Sequence, residues 1–147
     1  MNFNDTISAG EGNQTILRKI FTSTDIPDAW DCKVQSQKGN PYPFSLMLDQ
    51  RSCLLSARKD DHIKVGINYT VIQRTFKQSP DGTFALSVQA VNNKVFETSG
   101  ITLKEALISS MAEDKFILGT LSWTLVYKSI TPTDSTSAHI DLMLNPD

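Results

Sequence analysis

A strict alternation of apolar and polar residues between positions 63 and 71 constrains this sequence most. Every second residue there is apolar, and Lys64, Gly66, Asn68 and Thr70 fill the positions between. A period of two predicts a β-strand with one buried face, because successive side chains point to opposite sides of a strand. Phe84 to Ala90 alternate in the same way. Proline and glycine at 79–82 are placed for a turn, so residues 63–91 are predicted to form a long central hairpin.

Weaker patterns predict the remaining elements. Residues 5–21 read as an N-terminal hairpin around the glycines at 10 and 12, and residues 22–42, rich in proline and glycine, are predicted to be irregular. Thr102 and Glu105 form a capping-box pattern ahead of helically spaced apolar residues, which predicts a helix at about 103–113. Residues 116–130 are predicted to be one long strand. Residues 138–144 are compatible with a short strand or one helical turn.

These elements together predict an α+β fold. We expect an antiparallel sheet of about six strands, made from the N-terminal hairpin and the long central hairpin, with one or two short helices. The 147 residues suit a single domain over positions 1–147. We expect no internal repeat.

Composition and charge exclude some classes of protein. A net charge of −2 argues against a strongly basic arm wrapped around nucleic acid, although a local basic face remains compatible with it. The first residues lack the apolar segment of a signal peptide, and no apolar run approaches the length of a membrane span. Cys32 and Cys53 match no zinc or redox spacing, so free thiols are expected and a disulfide remains an alternative.

Groups suited to catalysis are few. His62 lies in a charged stretch and His139 lies next to Asp141, and surface placement is the simpler explanation for both. The carboxylate pairs at 60–61 and 113–114 are expected to be solvated turns. No nucleophile, phosphate-binding or metalloprotease motif occurs. We therefore predict a protein that is not an enzyme and that uses no metal and no other cofactor.

The two tryptophans differ in context. Trp123 lies on the apolar side of a predicted strand and is expected to pack in the core. Trp30 lies in the segment predicted to be irregular, where it could be a contact residue at an interface.

Polar side chains on the predicted strands form the remaining candidate for function. An ordinary hydrated sheet face is one explanation, and an RNA-binding surface is the other. The candidate RNA-binding residues are Lys64, Asn68, Thr70, Arg74, Ser87, Gln89, Thr124 and Lys128.

Three segments of the chain resemble the coat protein of single-stranded RNA bacteriophages. DTISAGEGNQTILRKI is similar to that family's N-terminal hairpin, and IKVGINYTVIQRTFKQSPDGTFALSVQAV is similar to its central hairpin. FILGTLSWTLVYKSITPTDSTS is similar to its last long strand, and the closing Leu-Asn-Pro matches one branch. The helix predicted at 103–113 lies where that family would have a loop.

The resemblance implies a viral structural protein. It implies a homodimer with a continuous sheet, assembly of dimers into an icosahedral capsid, and a polar face that binds single-stranded RNA, including a hairpin. The expected location is the virion, and the host cytoplasm during assembly. We expect the protein to bind neither a membrane nor a small-molecule substrate. A viral matrix or accessory binding protein is the first alternative, and a small enzyme using His139 and Asp141, or the pair at 60–61, is the second.

Overall fold

The computed structural model describes the backbone of residues 5–9, 12–36 and 41–147, and the side chains of residues 5–6, 15–36 and 46–147. These ranges contain eleven strands and two helices. The strands are β1 (Thr6–Ala9), β2 (Gly12–Ser23), β3 (Trp30–Ser36), β4 (Pro41–Leu48), β5 (His62–Val65), β6 (Ile67–Gln78), β7 (Phe84–Ala90), β8 (Lys94–Ile101), β9 (Lys115–Leu118), β10 (Leu121–Pro132) and β11 (Ala138–Pro146). The helices are α1 (Gln50–Ser56) and α2 (Leu103–Ser109).

The chain divides into two compact units. The first contains Met1–Ile72 and Ala90–Lys94, and the second contains Gln73–Gln89 and Val95–Asp147. The strand order in the first unit is β4-β3-β2-β5-β6, with β1 beside β2. The strand order in the second unit is β11-β10-β9-β6, with β7 beside β6 and β8 beside β7. Strand β6 contributes its first half to the first unit and its second half to the second.

The fold mixes strands with two short helices, as predicted, but the sheet differs from the prediction. A sheet of about six antiparallel strands is wrong, because the described residues form eleven strands and two of the pairs are parallel. Strand β2 runs parallel to β5, with Phe21 opposite Ile63. Strand β6 runs parallel to β9, with Phe76 opposite Phe116. Parallel neighbours are distant in sequence, so alternation within each strand could not reveal them.

Predictions that depend on neighbouring residues are confirmed. Strands β1 and β2 form the N-terminal hairpin, although Gly10 and Glu11 of its predicted turn lie outside the described residues. The turn at 79–82 joins β6 to β7, and its glycine adopts a φ of 88°. Thr102 and Glu105 make both halves of the capping box on α2. That helix ends at Ser109, earlier than predicted. The tail at 138–144 is a strand.

Three predicted boundaries are wrong, two of them because of a glycine. Gly66 and Gly119 have φ values of 78° and 65°, in the left-handed region that residues with a Cβ rarely adopt. Each glycine bends the chain back into a short hairpin, β5–β6 or β9–β10, where we predicted one continuous strand. The segment predicted to be irregular contains β3 and the beginning of β4, because pairing of β3 with β2 and of β4 with β3 overrides its breakers.

The structure reveals a repeat, so the absence of one is also a wrong prediction. Three hairpins, β1–β2, β5–β6 and β9–β10, share a pattern of aspartate, a short strand, glycine, threonine, two aliphatic residues and a cation. The aliphatic residue after the threonine is Ile16, Val71 or Leu125, and its amide donates to the carbonyl of the aspartate in each hairpin. The equivalent positions are Asp5, Asp61 and Asp114, then Thr15, Thr70 and Thr124, then Lys19, Arg74 and Lys128.

Equivalent turns follow the two helices and fix the second and third aspartates. In the first unit, the Asp61 carboxylate accepts from the amides of Arg58 and Lys19, and Asp60 has a φ of 74°. In the second unit, the Asp114 carboxylate accepts from the amide of Met111, and the preceding residue has a φ of 79°. The predicted solvated turns are therefore partly wrong, because the second acid of each pair is buried.

Candidate nucleic-acid interface

One side of the sheet in the first unit is polar and partly exposed. Residues directly opposite each other on paired strands share a face of the sheet. Ile20 lies opposite both Lys33 and His62, and His62 lies opposite Thr70. Following these pairs defines a surface that we call the first polar face. It comprises Arg18, Ile20, Thr22, Asp31, Lys33, Gln35, His62, Lys64, Asn68 and Thr70.

The opposite side of the same strands is buried. Phe21, Val34, Ile63 and Val71 have exposed fractions of 5% or less. Burial of these side chains fixes which way the strands face, and this leaves the polar residues at the solvent.

Positive charge dominates the described side chains of the first polar face. Arg18, Lys33 and Lys64 are cations, and Asp31 lies 3.5 Å from the Lys33 ammonium group. An Arg18 guanidinium nitrogen donates to Gln35 at 3.5 Å. Three cations and one carboxylate leave an excess of positive charge within a chain whose net charge is −2.

Asn68 and His62 form a polar contact at the centre of this face. The Asn68 amide nitrogen lies 3.3 Å from His62 Nδ1. Burial, and then the neighbouring charges of Arg18 and Lys64, lower the pKa of His62 below its ordinary value. The imidazole is therefore neutral at pH 7, where it can stack on a base or form a hydrogen bond without adding charge.

The predicted RNA-binding residues divide into three groups. Lys64, Asn68 and Thr70 lie together on the first polar face. Ser87, Gln89 and Thr124 lie in the second unit, on the sides of their strands that face away from the buried residues. Arg74 and Lys128 are directed to the core side of their strands.

The second unit has a polar side of different charge. Lys115 pairs with the Asp147 carboxylate at 3.0 Å, and the hydroxyls of Ser122 and Thr124 donate to that carboxylate. Ser87 donates to Glu97 at 3.5 Å. Carboxylates here occupy the positions next to the polar residues, so this side is less suited to phosphate than the first polar face.

Arg74 is buried, and its prediction as a residue of an exposed face is wrong. Its side chain is 1% exposed, and Nη2 lies 2.6 Å from Asp114 Oδ2 and 2.7 Å from the Ser109 carbonyl. Burial at Val71, then at Arg74 and Phe76, shows that the alternation changes phase between 71 and 74. An extra residue in a strand, a β-bulge, has this effect.

The predicted placement of Lys128 on an exposed face is wrong for the same reason. Its ammonium group donates to the carbonyls of Leu107, Ile108 and Ser110 at the end of α2. The register of β10 with β11 shifts between Leu125 and Tyr127, and the register of β2 with β3 shifts at the equivalent position, between Ile16 and Arg18. A period of two carried across this bulge assigns every later residue to the wrong side.

The candidate catalytic pair lies at the surface. His139 and Asp141 form a pair at 3.0 Å, and both side chains are about two-thirds exposed on β11. Within the described ranges, no three histidine, cysteine, aspartate or glutamate side chains come together in a way that could hold a metal ion. Cys32 and Cys53 are free thiols, and burial raises the pKa of Cys53 to about 12.

Trp30 lies buried at the beginning of β3 and not in an irregular segment, so the structure does not place it as the interface contact that the sequence suggested. Trp123 is only half-buried on β10, so the prediction that it packs in the core is confirmed only in part.

Sequence reasoning missed Arg18 and Lys33. Arg18 lies on β2 and Lys33 on β3, and the pairing of these two strands with each other was not predicted. A signal exists for Arg18, since it precedes the cation that occupies the same position in each repeat.

Comparisons with known proteins find no match for the chain. No family model, no curated protein sequence and no solved structure matches it. In the part of the chain that the structure describes, no helix is long and apolar enough to cross a membrane.

Proposed function

We propose that this chain is a viral structural protein of the RNA-phage coat type, which dimerises and assembles into a closed shell around single-stranded RNA. In this proposal the partners are further copies of the chain and RNA, and the protein resides in the virion after assembly in the host cytoplasm. It needs neither cofactor nor catalysis. The segments that resemble coat proteins and the first polar face support it.

The observation that carries the RNA part is the excess of positive charge on the first polar face. Arginine and lysine bind phosphate oxygens, while amides and hydroxyls such as those of Asn68 and Thr70 can bind base edges or the ribose 2′-hydroxyl. Although the net charge of the chain is −2, the first polar face would thus offer a locally positive surface to the negatively charged phosphates.

Exposed apolar residues on β4 and β11, the outermost strands in the strand order, support the proposal that the chain self-assembles. Leu46 and Met47 on β4 are 61% and 47% exposed, and Met143 on β11 is 57% exposed. Unpaired edges with apolar side chains favour association with another chain. Weak contacts are sufficient for a shell, because many of them act together.

The experiment is purification of the chain after expression alone, followed by electron microscopy and measurement of RNA content. We expect closed particles that contain RNA. A monomer without particles at high concentration would contradict the assembly proposal.

A pair of variants with equal charge change tests the RNA-binding face. Lys33→Gln with Lys64→Gln removes two cations from the first polar face, and Lys59→Gln with Lys104→Gln removes two exposed lysines from elsewhere. Because each phosphate contact on a single strand contributes about 0.7 to the slope of log K against log salt, we expect only the first variant to flatten the slope, by about 1.4. Equal behaviour of the two variants would favour an ordinary hydrated face.

A further inference from the structure

Two internal junctions in this chain are built in the same way. In the first, residues 20–22 of β2 pair in parallel with residues 62–64 of β5. In the second, residues 75–77 of β6 pair in parallel with residues 115–117 of β9. Each junction joins the end of a long repeat strand to the short strand that begins the next repeat.

An ion pair accompanies each junction at the residue before the pairing begins. Lys19 pairs with Asp61 at 3.2 Å, and Arg74 pairs with Asp114 at 2.6 Å. In the middle of each junction the long strand carries a phenylalanine, Phe21 opposite Ile63 in the first and Phe76 opposite Phe116 in the second, and both phenylalanines are 0% exposed. The parallel neighbour strand therefore belongs to the environment that buries this position.

The third long strand of this kind, β10, lacks such a neighbour among the described strands. Its first residues pair with β9 along one edge, and β11 pairs along the other edge as far as Pro132. At residues 129–131, no described strand thus occupies the edge that is filled in the two junctions. Ile130, equivalent to Phe21 and Phe76, is 60% exposed.

The matching short strand is also present in the chain. Strand β1 begins the first repeat, as β5 and β9 begin the second and third, and it follows Asp5 as they follow Asp61 and Asp114. Among the described strands, β1 pairs with β2 alone. No described strand therefore occupies the edge of β1 that corresponds to the paired edges of β5 and β9.

We propose that copies of this chain associate head to tail, with β1 of one copy adding in parallel to residues 129–131 of β10 of another. The register of the internal junctions places Ser129, Ile130 and Thr131 alongside Thr6, Ile7 and Ser8. The inference deepens the proposed self-assembly and rests on it, because it names the strands that meet.

A second copy is the occupant that fits, because the same chain carries both halves of a junction that it already makes twice. The contact uses different surfaces on the two copies, so it is heterologous. Such contacts close into rings when the rotation between copies allows it and otherwise continue as open chains. An isologous dimer contact can coexist with it on other surfaces.

Two complementary variants test this contact. Ile130→Lys places a charge on the β10 edge, and Ile7→Lys places one at the position equivalent to Ile63 and Phe116. Edge lysines oppose strand addition. Each variant alone should lose the head-to-tail species in sedimentation velocity. Mixed together, they should form a one-to-one complex, because each retains the edge that the other lacks. Ile26→Lys, at a loop residue that is 62% exposed, is the matched control and should behave as wild type.

The outcomes separate this inference from the proposed function. Absence of the one-to-one complex, with both variants folded by circular dichroism, would overturn the head-to-tail contact. Closed particles of normal RNA content from Ile130→Lys would overturn it too, while leaving the coat proposal intact. Open chains of wild-type protein that Ile130→Lys abolishes would support the contact and contradict a closed shell. A wild-type protein that is monomeric at every concentration would contradict both.

Discussion

The two units perform the same structural task with different chemistry. In the first, Lys19 approaches Asp61 with a single ammonium group, and burial lowers the pKa of Lys19 although the carboxylate opposes this shift. In the second, the Arg74 guanidinium contacts both oxygens of Asp114 and also a carbonyl at the end of α2. Planar arginine can satisfy several acceptors at once, whereas lysine offers one compact charge.

The exposed faces differ more than the cores. The first unit presents cations at its polar side, whereas the second pairs Lys115 with Asp147. The two units therefore share the buried ion pairs that position their strands, whereas the residues on their solvent-exposed sides differ. Candidate function therefore belongs to the first polar face and not to the repeat as such.

The largest expected effect comes from breaking either ion pair. Asp61→Ala or Asp114→Ala leaves a buried cation without its carboxylate, which should cost about 3–5 kcal/mol in the free energy of unfolding. Denaturant unfolding followed by tryptophan fluorescence checks this, since Trp30 reports on the first unit and Trp123 on the second.

Asp25→Ala is the control for these two variants, because Asp25 is an exposed carboxylate. A cost no larger than that of the control would contradict this prediction, and a large cost in one unit only would show that the two junctions differ in energy.

Replacing either of the two hairpin glycines should reduce the stability of the protein by the same amount. A Cβ at Gly66 or Gly119 meets nothing within 4 Å, so strain from positive φ is the only local penalty. Alanine in this left-handed region costs about 1–2 kcal/mol. We expect equal losses for Gly66→Ala and Gly119→Ala in thermal unfolding. Unequal losses would mean that the two hairpins differ in more than sequence.

Removing the N-terminal cap residue should affect stability differently in α1 and in α2. Thr102 accepts a hydrogen bond from the amide of Glu105, whereas Asp49 at the equivalent position makes no side-chain cap. Thr102→Ala should therefore destabilise the protein by about 1 kcal/mol. Asp49→Ala should have a smaller effect, and unfolding midpoints measured side by side compare them. A larger loss at Asp49 would reverse this ranking.

The smallest expected effect is a pH dependence specific to the first unit. Because the pKa of His62 is lowered in the folded state, the unfolded chain binds this proton first as the pH falls. Stability should then decrease as the pH falls below about 7, and His62→Gln should remove that part of the decrease. Unfolding free energies of both proteins across this range test it. Parallel pH curves would contradict the lowered pKa.

Local features of the fold could be predicted from sequence because their causes are local. The turn at 79–82 and the box at Thr102 depend on residues within three or four positions of one another. Of the candidate site, Lys64, Asn68 and Thr70 were placed correctly on one face, because the hairpin at Gly66 sets Lys64 opposite Asn68 and so preserves the alternation across the two strands.

By itself, the sequence determined the strand-rich character, the main turns, the capped helix and three residues of the first polar face. Only the tertiary structure decided that β5 and β9 pair in parallel with distant strands, that a bulge turns Arg74 and Lys128 toward the core side, and that Arg18 and Lys33 join Lys64. The physical reason is that a strand's alternation gives relative orientation only, while pairing partners and bulges are selected by the burial of residues far apart in the chain.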